Sequence, residues 1–304
     1  MSERLLSLWQ WFDSDAAIPR NGIDWLRVLP FVLLHLAVLG VFWVGVSGVA
    51  VAAAILMYAL RMFAITGFYH RYFSHRTFKT SRLLQFLFAL IAGMAAQRGP
   101  LWWASHHRHH HRHSDGPEDA HSPQQGFWWS HLGWFLHGEN FSARKELIRD
   151  FSHYPELRLL DRFDFLAPAA AMLMLYGFGA LLEARMPELG TDGWQMLVWG
   201  FVISTVALYH ATFTINSLAH RYGSRRYATR DTSRNNAWLA LLTFGEGWHN
   251  NHHHFAGSAR QGFYWWEIDL TWYGLKLLNW LGLVWDMKPV PAHILGARRE
   301  RGQP

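Results

Sequence analysis

The chain has 304 residues, of which 51% are hydrophobic and 16% aromatic, with 18 tryptophans, 20 histidines, a formal charge of +6 at neutral pH and no cysteine. The missing cysteine excludes disulfides, thiolate zinc sites, cysteine-held iron–sulfur clusters and thioether-linked haem within this chain. A mean hydropathy of −0.03 is too low for a protein lying wholly in lipid and leaves about half of it for water.

Taken in chain order, Leu5, Leu6, Leu8, Trp9, Trp11 and Phe12, set among polar residues, predict an interfacial N-terminal helix without a cleavable signal pattern. Four stretches then approach the ~20 apolar residues needed to cross a bilayer, namely 26–46, 49–68, 165–182 and 194–215. They pair into two hairpins. Gly45 and Gly48 mark an uncharged first turn, and residues 183–193, holding Pro187 and Gly190, form a second that carries Glu183, Arg185, Glu188 and Asp192. Nearly every other Lys and Arg falls on the opposite side, which the positive-inside rule makes cytoplasmic. Residues 1–25, 69–164 and 216–304 are expected there. Arg61, inside the second stretch, either snorkels to the surface or faces the protein interior. Residues 83–96 and 127–136 are apolar but too short to span, and an interfacial position is expected for them, with Trp102, Trp103, Trp128 and Trp129 in an aromatic belt. Arg298, Arg299 and Arg301 form a solvated basic end suited to anionic lipid.

The histidines fall into boxes beside these stretches. HRYFSH runs from His70 to His75, HRHHH from His107 to His111, HNNHH from His249 to His253, and NSLAH places Asn216 four residues before His220. His107, His110 and His111 stand at i, i+3, i+4, as do His249, His252 and His253, so on a helix each trio shares a face and can grip metal without bending the backbone. His70 and His75 are five apart, roughly 140° on an α-helix, and reach one centre only where the helix ends or loosens. A histidine-rich tract can also be a solvated face. Several boxes on one side of four membrane-length stretches favour a metal site instead. Nine imidazoles, with Asn216 as a tenth donor, exceed what one ion takes and suit two. Because zinc sites usually stop at four ligands, and imidazole equally suits iron, such a set favours a pair of iron ions used with dioxygen.

HRYFSH, GPLWWASHHRHHHRHSD, NSLAH and FGEGWHNNHHHF together resemble the integral-membrane fatty acyl desaturases of the stearoyl-CoA desaturase type, over residues 26–289. The resemblance implies an all-α integral membrane protein of one domain, with four transmembrane helices and a cytoplasmic helical cap carrying a histidine-rich dimetal site. It implies metal ligation by His70, His75, His107, His110, His111, His220, His249, His252 and His253, with Asn216 acting through water. His106, His109, His113 and His254 lie off the family pattern. The implied reaction inserts a cis double bond, at the Δ9 position, into a saturated acyl chain held in a bent tunnel, using dioxygen and two electrons at a di-iron centre. Asp115, Asp119 and Glu246 are candidate acceptors for ligand N–H groups, since a ligating imidazole needs a partner for its other nitrogen. Ala54 and Tyr58 are candidates for the tunnel floor, and Trp103 and His210 for its walls. His35, inside the first span, has no assigned role.

The chain departs from the animal acyl-CoA desaturases at one place. There a basic pair that holds the CoA phosphates follows a Gly-Trp-hydrophobic segment, whereas here Gly133 and Trp134 are followed by Phe135, Leu136, His137, Gly138 and Glu139. That leaves Arg98, Arg144, Lys145 and Arg149 to replace the charge, or a membrane phospholipid as the acyl carrier in place of acyl-CoA. The chain shows no haem, flavin, iron–sulfur or nucleic-acid motif; Gly177-Phe178-Gly179 inside a span is no dinucleotide fingerprint. The electron donor is therefore expected to be a separate ferredoxin, rubredoxin or cytochrome with its reductase. A bacterial inner membrane, with the site on its cytoplasmic face, is the expected location. Two rival functions share parts of the pattern: a membrane di-iron hydroxylase of alkanes or lipids, and a non-enzymatic metal transporter, for which only His35 and His210 offer ligands within the spans.

Overall fold

The computed structural model describes residues 5, 9, 11–16 and 21–297. Leu6, Leu8, Arg298, Arg299 and Arg301 lie outside the described residues. The principal helices are, in chain order, α1 (Trp25–Val44), α2 (Gly48–Ser74), α3 (Arg82–Gly93), α4 (Pro100–His113), α5 (Pro155–Arg162), α6 (Leu166–Arg185), α7 (Gly193–His220), α8 (Ala237–Leu242), α9 (His249–His254) and α10 (Leu270–Trp280). A two-stranded antiparallel ribbon, β1 (Lys79–Thr80) with β2 (Val284–Trp285), pairs Lys79 with Trp285 and Thr80 with Val284.

α1, α2, α6 and α7 are the helices long and apolar enough to cross a membrane. α2 and α7 run past the ends expected for them, residues 68 and 215, to Ser74 and His220. Each span therefore carries its own metal-ligand candidates out of the apolar zone. Side-chain caps set the span starts: Ser47 accepts the Ala50 N–H at 3.1 Å and Asp192 that of Gln195 at 2.8 Å, each satisfying an orphan donor of the first turn. Gly179 lets α6 meet the turn before α7, since a Cβ there would stand 2.4 Å from the Asp192 carbonyl oxygen. Leu33, Phe42, Trp43, Ile55, Leu56 and Leu173 stay exposed around the spans, a surface fit for hydrocarbon.

Arg61 faces inward and is fully buried. Its guanidinium donates to Thr205 Oγ1 at 2.6 Å, Ser204 Oγ at 2.5 Å and the carbonyls of Met57 at 2.9 Å and Met94 at 3.1 Å. These bonds tie α2 to α7 and to the loop before α4. The cap packs on the same end of the spans. Phe68 stacks on Phe88 of α3 at 3.9 Å between centroids, Phe73 packs edge-on against Phe151, and Gly274 of α10 approaches Phe63 so closely that a Cβ would lie 2.4 Å from its ring. The aromatic belt expected at residues 102, 103, 128 and 129 is only partly found. Trp128 is 70% exposed, but Trp102 stacks on Trp134 and Trp103 on His107, because the α4 face that carries the histidines also turns these rings into the interior.

Candidate metal centre

The histidines gather into two adjacent clusters, one of His70, His75, His107, His111 and His252, the other of His110, His220, His249 and His253, with candidate ligand atoms in each within 4.8 Å of one another. The helix loosens where it was expected to. Ile65–Ser74 is a π-helical segment, closed by the His75 N–H donating to the His70 carbonyl at 3.2 Å, the i→i+5 bond of that helix. Its wider turn brings residues five apart to one side. Neither i, i+3, i+4 trio acts as a unit, however. On α4 the i, i+4 pair His107 and His111 enters the first cluster and His110 the second, while on α9 the pair His249 and His253 enters the second and His252 the first. His111 and His253 are 4.6 Å apart between centroids.

The first cluster presents five Nε2 atoms inward. His70 to His252 is 3.0 Å, His75 to His70 3.2 Å, His107 to His75 2.9 Å, His111 to His107 3.0 Å and His252 to His111 2.9 Å. Nitrogens bound at about 2.1 Å to an octahedral ion are about 3.0 Å apart along each edge. The donor set thus fits a divalent metal with five nitrogen ligands and one open position. In the second cluster His220 and His249 stand 3.1 Å apart and His110 and His253 3.4 Å apart. Asn216, one turn before His220, lines the cavity beside His249.

Carboxylates take the outer nitrogens. His110 Nδ1 lies 2.9 Å from Asp119, His220 Nδ1 3.1 Å from Asp115, and His253 Nδ1 2.7 Å from Asp231, while His70 Nδ1 meets both Glu246 and, at 3.1 Å, the Gln261 amide. Each carboxylate accepts the Nδ1–H and so fixes the tautomer that leaves an Nε2 lone pair facing inward, while the Gln261 amide donates to Glu246 at 3.0 Å. Arg71, fully buried, anchors Glu246 at 3.1 Å and Asp269 at 2.9 Å. Asp115, Asp119 and Glu246 thus stand where ligand partners were expected. Asp231 and Gln261 escaped sequence reasoning because each is far from its histidine in sequence or lies in a loop without spacing; His121 escaped it too, buried beside His110 at 4.2 Å between centroids. Burial, and then repulsion among neighbouring imidazoles, holds His75, His107, His111, His249 and His252 well below the ordinary histidine value. They are neutral with free lone pairs, the state a metal requires. Burial lowers His253 to about 4 against the opposing pull of Asp231. At His110 burial is outweighed by Asp119, and its value is raised.

A cavity of about 730 Å³ opens onto both clusters through His70, His107, His110 and His249, a size suited to a small organic ligand or acyl chain. Its α1 wall runs from Arg27 to Ala37, roughly 15 Å along the helix. Phe31, Leu34, Leu197, Phe201 and Val202 make the deeper part apolar. Of the side chains expected to line a tunnel, only Trp103 does. Ala54 is not in the cavity wall, and the Tyr58 hydroxyl turns away to donate to the Leu242 carbonyl at 2.7 Å. His210 instead bonds His35 at 3.2 Å and His131 at 3.1 Å, and His131 reaches Ser217 at 3.0 Å. Imidazoles among apolar helices find partners in one another, and Tyr209, Thr212 and Phe213 take the wall position.

Four helices of membrane-spanning length and two histidine clusters able to hold metal fit the class of membrane metalloproteins. Comparison with known proteins makes this specific, for the family model "Fatty acid desaturase" matches residues 47–278. The chain belongs to the fatty acid desaturase family, and its class is that of an oxidoreductase acting on fatty acyl chains. It is 40% identical over 214 residues to an sn-1 stearoyl-lipid 9-desaturase of Anabaena variabilis, covering 70% of this chain and 74% of that protein. It is 39% identical over 221 residues to an acyl-CoA 5-desaturase of Anemone leveillei, covering 72% of this chain and 64% of the relative. A chloroplastic palmitoyl-monogalactosyldiacylglycerol delta-7 desaturase of Arabidopsis thaliana is 39% identical over 214 residues, covering 69% of this chain and 54% of its own length. These names differ in acyl carrier and double-bond position, so family membership leaves both to be argued from the site.

Proposed function

We propose that the chain inserts a cis double bond, at the Δ9 position, into a long saturated acyl chain carried by a membrane lipid, at a di-iron centre on the cytoplasmic side of a bacterial cell membrane. The observation that carries this is the junction of an apolar cavity with two nitrogen-lined clusters. His70, His75, His107, His111 and His252 would hold one iron, and His110, His220, His249 and His253 the other, with Asn216 contributing through water. When bound, such a pair supplies the reduction of dioxygen by two external electrons and the removal of two hydrogens from adjacent methylenes. The chain's own residues supply position and exclusion. Thr66 and Trp103 lie in the wall with His70 and His107 of the first cluster and His110 and His249 of the second, so a methylene run along that wall stands next to both clusters. Apolar side chains of α1 and α7 hold the rest of the acyl chain and keep water out. Asp115, Asp119, Asp231 and Glu246 keep the ligating rings in one orientation.

The uncharged turn between α1 and α2, with nearly all basic residues at the other end, supports a cytoplasmic site. Electrons come from a separate ferredoxin, rubredoxin or cytochrome with its reductase, since the chain has no cysteine to hold an iron–sulfur centre. Lipid carriage is favoured by the missing basic pair after Trp134 and by the name of the Anabaena relative.

The test is gas chromatography with mass spectrometry of fatty acids from a host without desaturases, expressing the wild type or His110→Ala with a ferredoxin and reductase. A new cis-Δ9 monoene with the wild type alone is the expected result. A hydroxylated product would replace this function with that of a hydroxylase.

A further inference from the structure

The cavity that reaches the histidines also has two arginines in its wall, on segments far apart in sequence. Arg27 lies in the first turn of α1, and Arg98 in the loop that leads into α4. Their guanidinium carbons stand 4.8 and 5.8 Å from the centroid of the same ring, Phe141. Asp164 joins them: it pairs with Arg98 Nε at 2.7 Å and accepts from Ser14 Oγ at 3.2 Å, and the Arg27 guanidinium donates to that hydroxyl at 3.5 Å. Arg98 also donates to the Phe141 carbonyl at 2.9 Å.

The backbone at Arg98 is strained. Ala96 and Arg98 have φ of +55° and +72°, a left-handed conformation that costs a residue with a side chain and recurs at ligand clamps. Two tyrosines of the spans hold it there. The Tyr209 hydroxyl donates to the Ala96 carbonyl at 2.7 Å and that of Tyr69 to the Arg98 carbonyl at 3.3 Å. The loop is thereby fixed with the Arg98 side chain on the cavity. Asp164 offsets part of the pair's charge, and an oxyanion set beside it would take the guanidinium edges that line the cavity. Guanidinium forks match phosphate oxygens in pairs.

Position selects the ligand among phosphates. Both arginines share the wall of the acyl cavity, so a phosphate they hold lies within a few bonds of the acyl carbonyl. In a glycerophospholipid only the glycerol separates the two groups, whereas in acyl-CoA the whole pantetheine arm intervenes. Arg144, Lys145 and Arg149, the cations otherwise expected to hold CoA, are not in this wall.

We propose that Arg27 and Arg98 clamp the phosphate diester of the glycerophospholipid whose acyl chain enters the cavity. The inference rests on the function proposed above. It distinguishes this chain's substrate from uncharged glycolipids carrying the same acyl group.

The experiment uses the full chain, iron-loaded, in proteoliposomes with a ferredoxin and its reductase. Substrates are 1-stearoyl-2-oleoyl phosphatidylglycerol, the corresponding monogalactosyldiacylglycerol, and stearoyl-CoA, compared by kcat/KM for wild type, R27Q and R98Q. Iron content and elution volume report folding. The wild type is expected to prefer phosphatidylglycerol over galactolipid at least tenfold, and each variant to reduce that ratio at least tenfold, chiefly through KM. An unchanged ratio overturns the clamp, including the case where both rates fall together as for a structural residue. Arginine-dependent turnover of stearoyl-CoA without turnover of phosphatidylglycerol overturns it by assigning the phosphate to CoA. Absence of unsaturated product from all three substrates with iron-loaded wild type instead sinks the desaturase reading underneath. R27Q lies on a different segment, so it carries the test alone should R98Q not fold.

Discussion

Replacing Asp119 by alanine should empty one metal cluster and spare the other. The side chain is fully buried, and its oxygens take His110 Nδ1 at 2.9 Å, the Asp115 N–H at 3.0 Å and the His121 N–H at 3.3 Å. Alanine deletes a charge-assisted bond to His110, about 1.5–3 kcal/mol, and frees the imidazole to rotate or change tautomer. At about 1.4 kcal/mol per tenfold, the four-histidine cluster loses ~10–100-fold in metal affinity, the usual size of an outer-shell effect. Among the described residues, Asp119 bonds to none of the five histidines of the other cluster, which should keep its metal. Iron per chain, measured by plasma mass spectrometry after dialysis against buffered free iron, should fall from two to one over a range where the wild type holds both. Desaturation should be lost with it. Two irons of wild-type affinity in Asp119→Ala would falsify the claim that this carboxylate orients a ligand.

Arg71→Met removes the cation that the buried carboxylates Glu246 and Asp269 share, a change that costs about 3–5 kcal/mol; the tryptophan-fluorescence melting temperature in detergent should drop clearly, and a value matching wild type counts against the Arg71 network as a support for His70. Gly247→Ala places a Cβ 2.1 Å from the Ala240 nitrogen and 2.5 Å from the Asn236 carbonyl oxygen, so no folded metal-binding protein is expected by size exclusion, whereas Gly177→Ala, with nothing within 4 Å, should elute as wild type. Acid should destabilise the metal-free protein. His75, His107, His111, His249, His252 and His253 have folded values below the ordinary 6.5, so below that pH the unfolded chain binds more protons and stability falls as pH falls. His110, raised, opposes this but is one group against six. Melting temperatures of chelator-treated protein from neutral to mildly acidic pH should decline; a flat or rising profile would contradict the buried, neutral state of these imidazoles.

The identity of the site was legible in the chain because metal chelation leaves a local trace. Imidazoles three, four and five residues apart on helices mark themselves, as do apolar runs of bilayer length, and both depend only on helix geometry. Acidic neighbours such as Asp115, Asp119 and Glu246 could be guessed from their closeness to the boxes. Asp231 could not, since it meets His253 from the loop after α7, and Gln261 reaches His70 across 191 residues. Tyr58 and Ala54 were misplaced on the cavity for a related reason. Depth along α2 follows from residue count, but where the cavity runs beside that helix depends on how α1, α7 and the cap pack against it.

By itself, then, the sequence marked the four apolar spans and the histidine boxes through short-range periodicity, and its motifs gave the class of chemistry through their resemblance to a known family. Only the tertiary structure decided how the two histidine trios divide between the clusters, which carboxylates orient them, and where Arg27 and Arg98 meet. Those are contacts between segments distant in the chain, and they depend on helix packing and burial, which no local spacing records.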